Sequence, residues 1–421
     1  MKKIWPFFLL ALALRIVLSP IYHHSDADTI FYWGKYLWEK KDFLYFLGKA
    51  VPDAMPAVYP PIFYYLLFIW QGFYDLVGKI FWWSNLKWPL FPSSLIFWYQ
   101  SFDVRIAFNK IPAILADLGC AWLIYSISRT LKAKESFSKL TALFFLFLPF
   151  SWYNSAYWGQ VDSLYSFFIL LGFFLILRQR YLLAIFLFGV SVLIKSSGIV
   201  VLPAVLILVV KKKRLIDLWW ASLAVCLLAF ILYFPFQPLN TLSWAVNFYL
   251  QSFRGELNYL VSNAFNFWAL LFGFDQRSDG TTFWGIPFRL WGFLLFFLLV
   301  IIISAKLWQK TCTKQFILAA FLSSFAAFLF LPRIHERYFY TALLFSAILG
   351  SLGRKWLMIF ILLSMLHFFN LYHFWWHPGI AFLTALLSNM FIIRAIIVSN
   401  IIIFGYCCFL FVKNEPVGNN R

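Results

Sequence analysis

Charge is scarce in this 421-residue chain and acid scarcer still: 12% of residues are charged, and 16 Asp and Glu stand against 35 Lys and Arg. Soluble domains carry about 25% charged residues and are about half apolar. A chain that is 63% hydrophobic and 23% aromatic has too much apolar surface to hide from water. Cysteine is also sparse. Cys120, Cys226, Cys312, Cys407 and Cys408 form no CxxC pair, so neither a disulfide framework nor a zinc site is supported. No internal repeat is visible, which speaks against an inverted-repeat transporter. No apolar segment alternates with polar residues, which argues against a β-barrel.

What is present is a series of apolar runs approaching the ~20 residues that cross a bilayer as helix. They fall at 4–20, 104–128, 139–153, 163–177, 181–195, 197–210, 215–234, 284–305, 315–331, 338–352, 356–373 and 393–412. The expected fold is therefore all-α: one polytopic transmembrane domain over 1–421, with about twelve spanning helices. Two large loops, 21–103 and 235–283, are rich in aromatics and should hold interfacial helices. Neither contains a polar stretch long enough for a soluble domain. Arg15 interrupts the first run and no small-residue cleavage site follows, so that run reads as a retained anchor.

The net charge of +19 admits two origins, nucleic-acid binding or basic cytoplasmic loops. With the first helix entering from the cytoplasm, the inner loops collect 19 of the 35 basic residues and three of the 16 acids, a balance of +16, leaving +3 elsewhere. That is the positive-inside pattern. Both termini are then cytoplasmic, the partner is a bilayer, and nucleic acid is not expected. The protein would lie in the cytoplasmic membrane of a prokaryote or the endoplasmic reticulum of a eukaryote. Counting the semi-hydrophobic segment 61–83 as a span would reverse every later loop. It is placed instead as a re-entrant or interfacial helix within the first external loop.

All six histidines, and five short polar motifs, fall on or near the external half of this map. The motifs are His23-His24-Ser25-Asp26-Ala27-Asp28, Tyr59-Pro60-Pro61, Trp158-Gly159-Gln160-Val161-Asp162-Ser163, Asn263-Ala264-Phe265-Asn266-Phe267-Trp268 and Arg333-Ile334-His335-Glu336-Arg337-Tyr338. Ionisable residues at membrane depth are functional hypotheses by default. Each also has a plain structural explanation. Asp26, Asp28 and Asp162 can cap helices, and Asn263 and Asn266 can satisfy loop backbone. His335, Glu336 and Arg337 can form an interfacial ion pair. Lys195 can snorkel to the membrane surface. Asp117 and Arg394, deeper in spans, are expected to hold helices together, and His373, Trp375, Trp376 and His377 to form an aromatic belt.

In this order the motifs resemble the GT-C glycosyltransferases, membrane enzymes that use polyprenyl-phosphate sugars. In that class an essential Asp of the first external loop is followed by a Trp seven positions on and later by Tyr-Pro-Pro. Asp26, Trp33 and Tyr59-Pro60-Pro61 keep that arrangement. Asp28 adds the D-x-D look of the mannosyltransferases. Lys110-Ile111-Pro112 with Asp117, the "WGQxDS" block from Trp158, the block from Ser262 and His335-Glu336-Arg337-Tyr338 match further elements. Val58 departs from the pattern, standing where relatives carry an Asp.

The resemblance implies transfer of a hexose, mannose or glucose first, to a lipid-linked glycan, glycolipid or protein, with inversion at the anomeric carbon. Asp26 would be the base, its pKa raised by a partly dry site, with Asp28 sharing the role or binding acceptor hydroxyls. His335, Arg337, Arg333 and Lys195 would receive the donor phosphate. Trp33, Tyr59, Trp158, Gln160, Asp162, Asn263, Asn266, Trp268 and Glu336 would contact substrate. No cofactor is expected, although a divalent cation at Asp26 and Asp28 is compatible with the pattern. The alternative is a lipid-linked-sugar flippase or transporter, which would carry its ionisable groups near the bilayer midplane.

Overall fold

The structure, a computed structural model, describes residues 4–254 and 258–413. Lys2, Lys3, Glu415 and Arg421 of the charge map lie outside the described residues. The chain is 76% helical. Among the described residues the only strands are the two-residue antiparallel pair Thr282–Phe283 and Ile286–Pro287.

Each apolar run of the sequence is mostly helical, the run at 284–305 entering its helix only at Phe288. Among the described residues six helices are long and apolar enough to cross a membrane: Phe102–Thr130, Leu215–Tyr233, Phe288–Gln309, Thr313–Phe330, Arg354–Trp375 and Met390–Val412. Their burial separates centre from periphery. Thr313–Phe330 buries every residue from 315 to 329, as a helix enclosed by other helices must. Leu215–Tyr233 buries only Ala221 and Tyr233 and leaves Leu223, Leu227 and Ile231 exposed. An apolar helix with that little burial needs a non-aqueous surround. The remaining apolar runs make shorter helices, among them Trp5–Leu18, Asp162–Leu177, Tyr181–Ile194 and Tyr340–Gly350.

Phe102–Thr130 is the spine. Its 29 residues extend about 43 Å at 1.5 Å per residue, and the helices at 5–18, 135–147, 162–177 and 340–350 pack along it. A buried polar knot fastens these together. Arg15 Nε donates to Asp117 Oδ2 at 3.1 Å, Tyr340 Oη donates to Oδ1 at 2.5 Å, and Ser155 Oγ donates to Oδ2. Asp117 thus ties helices as expected, but its partner is Arg15. Arg394, expected in the same role, lies on an exposed face of Met390–Val412.

The segment expected to be re-entrant or interfacial at 61–83 is one unbroken 27-residue helix, Pro61–Lys87. A re-entrant segment needs a turn near its middle, and none occurs here. Pro60 and Pro61 sit where proline starts helices well, since the first N–H groups have no intrahelical acceptor anyway. Gln71, Asp75 and Lys79 keep the helix out of the most apolar class. The expected belt at 373–377 is partly internal: Trp375 packs at 5.9 Å on Trp158 and 5.8 Å on His24, beside the polar motifs.

Candidate active site

The site starts at the turn that ends the first helix. The chain leaves Trp5–Leu18, turns through residues 19–24 and enters the helix Ser25–Lys40. His24 caps that helix, its Nδ1 accepting from the Asp26 N–H at 3.1 Å, while its own N–H donates to the Trp158 carbonyl at 3.2 Å. Lys110 fixes both sides of this junction. Its buried ammonium donates to the carbonyls of Ser19 and Tyr22 on one side, at 2.7 and 2.6 Å, and of Ala156 and Tyr157 on the other, both at 3.0 Å.

Residues 153–158 form a π-helical turn ending at Gly159, whose φ is +98°. Such turns are rare and concentrate at functional sites. A Cβ at residue 159 would lie 2.7 Å from the Ala27 Cβ, so only glycine lets the two segments approach. The turn delivers Gln160, whose Nε2 donates to Asp26 Oδ2 at 2.5 Å.

A second group arrives from the far end of the chain. Arg337 places Nη1 3.8 Å from Asp26 Oδ2 and donates from the same nitrogen to Glu336 Oε1 at 3.0 Å. Lys195 Nζ donates to Asp162 Oδ1 at 2.5 Å and lies 4.9 Å from the Tyr338 ring centre. Asp26, Lys195, His335 and Arg337 line one cavity of about 1400 Å³, with Trp33, Tyr59 and Tyr338 in its wall. Of the buried polar atoms without a partner, His335 Nδ1 and Arg337 Nε belong to residues that line it, and Gln160 Oε1, Asp162 Oδ2 and Glu336 Oε2 to residues bonded to Asp26, Lys195 and Arg337 just behind its wall. Orphaned groups of this kind mark places that a ligand or water completes.

The electrostatics differ from the sequence expectation at two points. Burial alone would raise the Asp26 pKa, but the adjoining His24 ring, the Arg337 charge and the Gln160 amide together hold it well below the usual carboxylate range. Asp26 is therefore a held carboxylate and not the elevated base expected from dryness. His335 is pushed down to about 3, by burial first and then by the nearby charges of Arg337 and Lys195. It is neutral, so it offers a hydrogen bond to a phosphate and not a cation.

Other expected site residues divide by where they point. Trp33 and Tyr59 line the cavity, with Trp33 Nε1 donating to the Met55 carbonyl at 2.9 Å. Asp28 does not line it. Two positions along a helix turn a side chain about 200°, and Asp28 pairs with His23 Nδ1 at 2.7 Å. The two carboxylates of the D-x-D pattern therefore diverge. Among the described residues no three His, Cys, Asp or Glu side chains group as ligands for a metal ion.

Arg333 borders the cavity, but its guanidinium forks onto Asp279 at 2.6 and 3.0 Å and reaches Asn258. Its fork ties two loops together and is not spare for a donor phosphate. Asp162 is not a helix cap, since Val161 occupies that position without a side-chain bond. Lys195 does not snorkel, because Asp162 holds it inside.

Asn266 does cap Phe267–Phe272, its Oδ1 accepting from the Ala269 N–H at 3.1 Å. Asn263 serves by its backbone: its carbonyl accepts from Asn370 at 2.7 Å, with φ at +62°. Trp158 and Trp268 are fully packed, the first stacked 5.3 Å from Phe374 and the second donating to the Phe330 carbonyl. Glu336, also fully buried, backs Arg337. His24 and Tyr338 are the additions that the motifs contained without distinguishing them. Compared with models of protein families and with curated proteins, the chain matches none of either.

Proposed function

We propose that the protein is a multi-pass membrane glycosyltransferase of the GT-C kind, moving a hexose from a polyprenyl-phosphate donor to a lipid-linked glycan, glycolipid or protein. In this reading the chain crosses the bilayer about twelve times, with cytoplasmic termini and the cavity opening on the opposite side. The observation that carries it is the gathering of one carboxylate, Asp26, with Lys195, His335 and Arg337 around a cavity of about 1400 Å³. These residues come from three separated stretches of chain. The volume exceeds the 300–1,000 Å³ typical of small-ligand pockets, as two substrates require.

The chemistry follows from the contacts. The acceptor hydroxyl oxygen attacks the anomeric carbon, its proton passes to Asp26, and the carbon–oxygen bond to phosphate breaks with its electron pair leaving on the phosphate. Arg337 and the orphaned His335 ring receive that growing charge, with Lys195 close behind. Arg337 also links the two halves of the reaction. Its charge helps to keep Asp26 a weak base. A donor phosphate that draws the guanidinium away removes that stabilisation, and Asp26 becomes a stronger base when donor is in place.

The test is direct. Purified protein is given radiolabelled polyprenyl-phosphate mannose or glucose with membrane lipid extract, and a new glycosidic product is scored. The proposal predicts label in a product that needs both donor and extract. Movement of intact lipid-linked sugar across a vesicle wall, with no new glycosidic bond, would instead establish the flippase.

A further inference from the structure

The helix Thr241–Arg254, in the second large loop, belongs to none of the polar motifs, yet one side of it forms a wall of the cavity. Trp244, Asn247, Phe248 and Gln251 all line that space. The spacing i, i+3, i+4, i+7 puts the four within about 100° of one helical face. Leu242, Val246 and Leu250, at i, i+4 and i+8 on another face, are 69%, 60% and 52% exposed. The helix is a partition, apolar outward and polar-aromatic inward, as in a helix lying in a membrane interface.

Its inner face has a definite chemistry. None of the four residues is charged, whereas the groups around Asp26 are. Trp244 and Phe248 set two rings 5.6 Å apart at an interplanar angle of 33°. Trp244 is anchored against Tyr233 at 5.8 Å, in a nearly perpendicular edge contact. Asn247 and Gln251 are exposed and line the cavity on the same helical face as the rings. Each amide offers two donors and one acceptor. Gln237 adds a further amide to the same wall.

Flat apolar faces beside neutral, two-way hydrogen-bonding groups suit a ring with C–H faces and hydroxyl edges. A phosphate would call for cations, and a bare prenyl chain would leave the amides unpaired at a cost. We propose that this face of Thr241–Arg254 binds a sugar residue of the acceptor, so that the acceptor is a saccharide-bearing molecule and not a bare protein hydroxyl or an unglycosylated lipid. The inference rests on the glycosyltransferase reading for the word acceptor, but the site itself is a saccharide-binding surface whether or not transfer occurs.

The experiment therefore reads binding and turnover separately. Full-length protein in nanodiscs is titrated with free mannotriose and maltotriose by saturation-transfer NMR, and transfer is measured with labelled polyprenyl-phosphate mannose or glucose against extract. Asn247→Ala with Gln251→Ala removes two neutral hydrogen-bonding partners, and saccharide affinity should fall roughly tenfold or more. The half-saturating extract concentration should rise by the same factor while donor binding stays as in the parent. Trp244→Phe should keep most of the affinity and Trp244→Ala should lose it. Leu250→Ala, on the outer face, should change neither.

Saccharide binding that disappears in the double variant, in a protein that transfers nothing, would support the surface and sink the enzyme. Transfer whose dependence on extract is unchanged in both the double variant and Trp244→Ala would overturn the surface and leave the enzyme standing. Absence of saccharide binding by the parent protein would overturn it as well.

Discussion

Replacing Lys110 by methionine tests whether one buried ammonium assembles the site. The side chain is 2% exposed and donates to four carbonyls, two in the turn that follows the first helix and two in the π-helical turn. Methionine fills a similar volume and leaves those four oxygens without this donor. Three protons serve four acceptors, and the ammonium's own burial offsets part of the gain. The cost of breaking such a buried charged contact is therefore about 3–5 kcal/mol, not the sum of four charged hydrogen bonds. At ~2–4 °C per kcal/mol for a large domain, the unfolding midpoint should fall by roughly 10 °C. Arginine should not rescue it, because a planar fork cannot reproduce the converging contacts of a compact ammonium. The assay is thermal unfolding in detergent, paired with hydrogen exchange over residues 19–28, where protection should drop because His24 is held to Trp158 across this junction. A methionine variant that melts with the parent and keeps its exchange pattern would refute the clamp.

Three further outcomes follow from the geometry. Arg337→Gln removes a cation that helps to depress the Asp26 pKa, so that pKa should rise in the donor-free protein; kcat/KM for donor should be flat in Asp26 ionisation from pH 5 to 8 in the parent and should gain an acid limb that falls as pH drops in the variant, read from pH–rate profiles at low donor. Asp162→Asn and Lys195→Met each leave one charge buried without its partner and should cost ~3–5 kcal/mol of stability, whereas the double replacement should cost less than the sum, which a double-mutant cycle on unfolding measures. Gly159→Ala forces a side chain into φ +98° and a Cβ 2.7 Å from Ala27, so stability should fall by about 2 kcal/mol or more, and transfer should fall further than folding because Gln160 leaves Asp26.

The helices were legible because a bilayer demands runs of about twenty apolar residues, and such runs are local in sequence. Segment 61–83 was harder, since Gln71, Asp75 and Lys79 dilute its hydropathy while Pro60-Pro61 and the following aromatics still build an uninterrupted helix. The motifs pointed at Asp26, Gln160, His335 and Arg337, which share a cavity or a direct contact. What could not be seen was where neighbours in a motif point. Asp26 and Asp28 diverge because they sit two positions apart on a helix, an outcome visible only once His24 is known to cap it. Arg333 and Arg337 look alike in sequence, but Asp279, 54 positions away, takes the fork of the first. Lys195 and Asp162 are 33 positions apart and disguised each other, one reading as a snorkelling lysine and the other as a cap. The direction of the Asp26 pKa was misjudged because burial was weighed without His24, Arg337 and Gln160, whose combined effect exceeds it.

The most direct test of the account is Asp26→Asn in the purified transfer assay. Asparagine keeps the shape and can still meet Gln160 and Arg337 through its carbonyl oxygen, but it cannot take up a proton. General-base removal costs typically 10²–10⁴-fold. The account predicts that loss in the rate of glycosidic-bond formation, with donor binding and the unfolding midpoint close to those of the parent. Transfer at the parent's rate by a folded, donor-bound Asp26→Asn protein would contradict it.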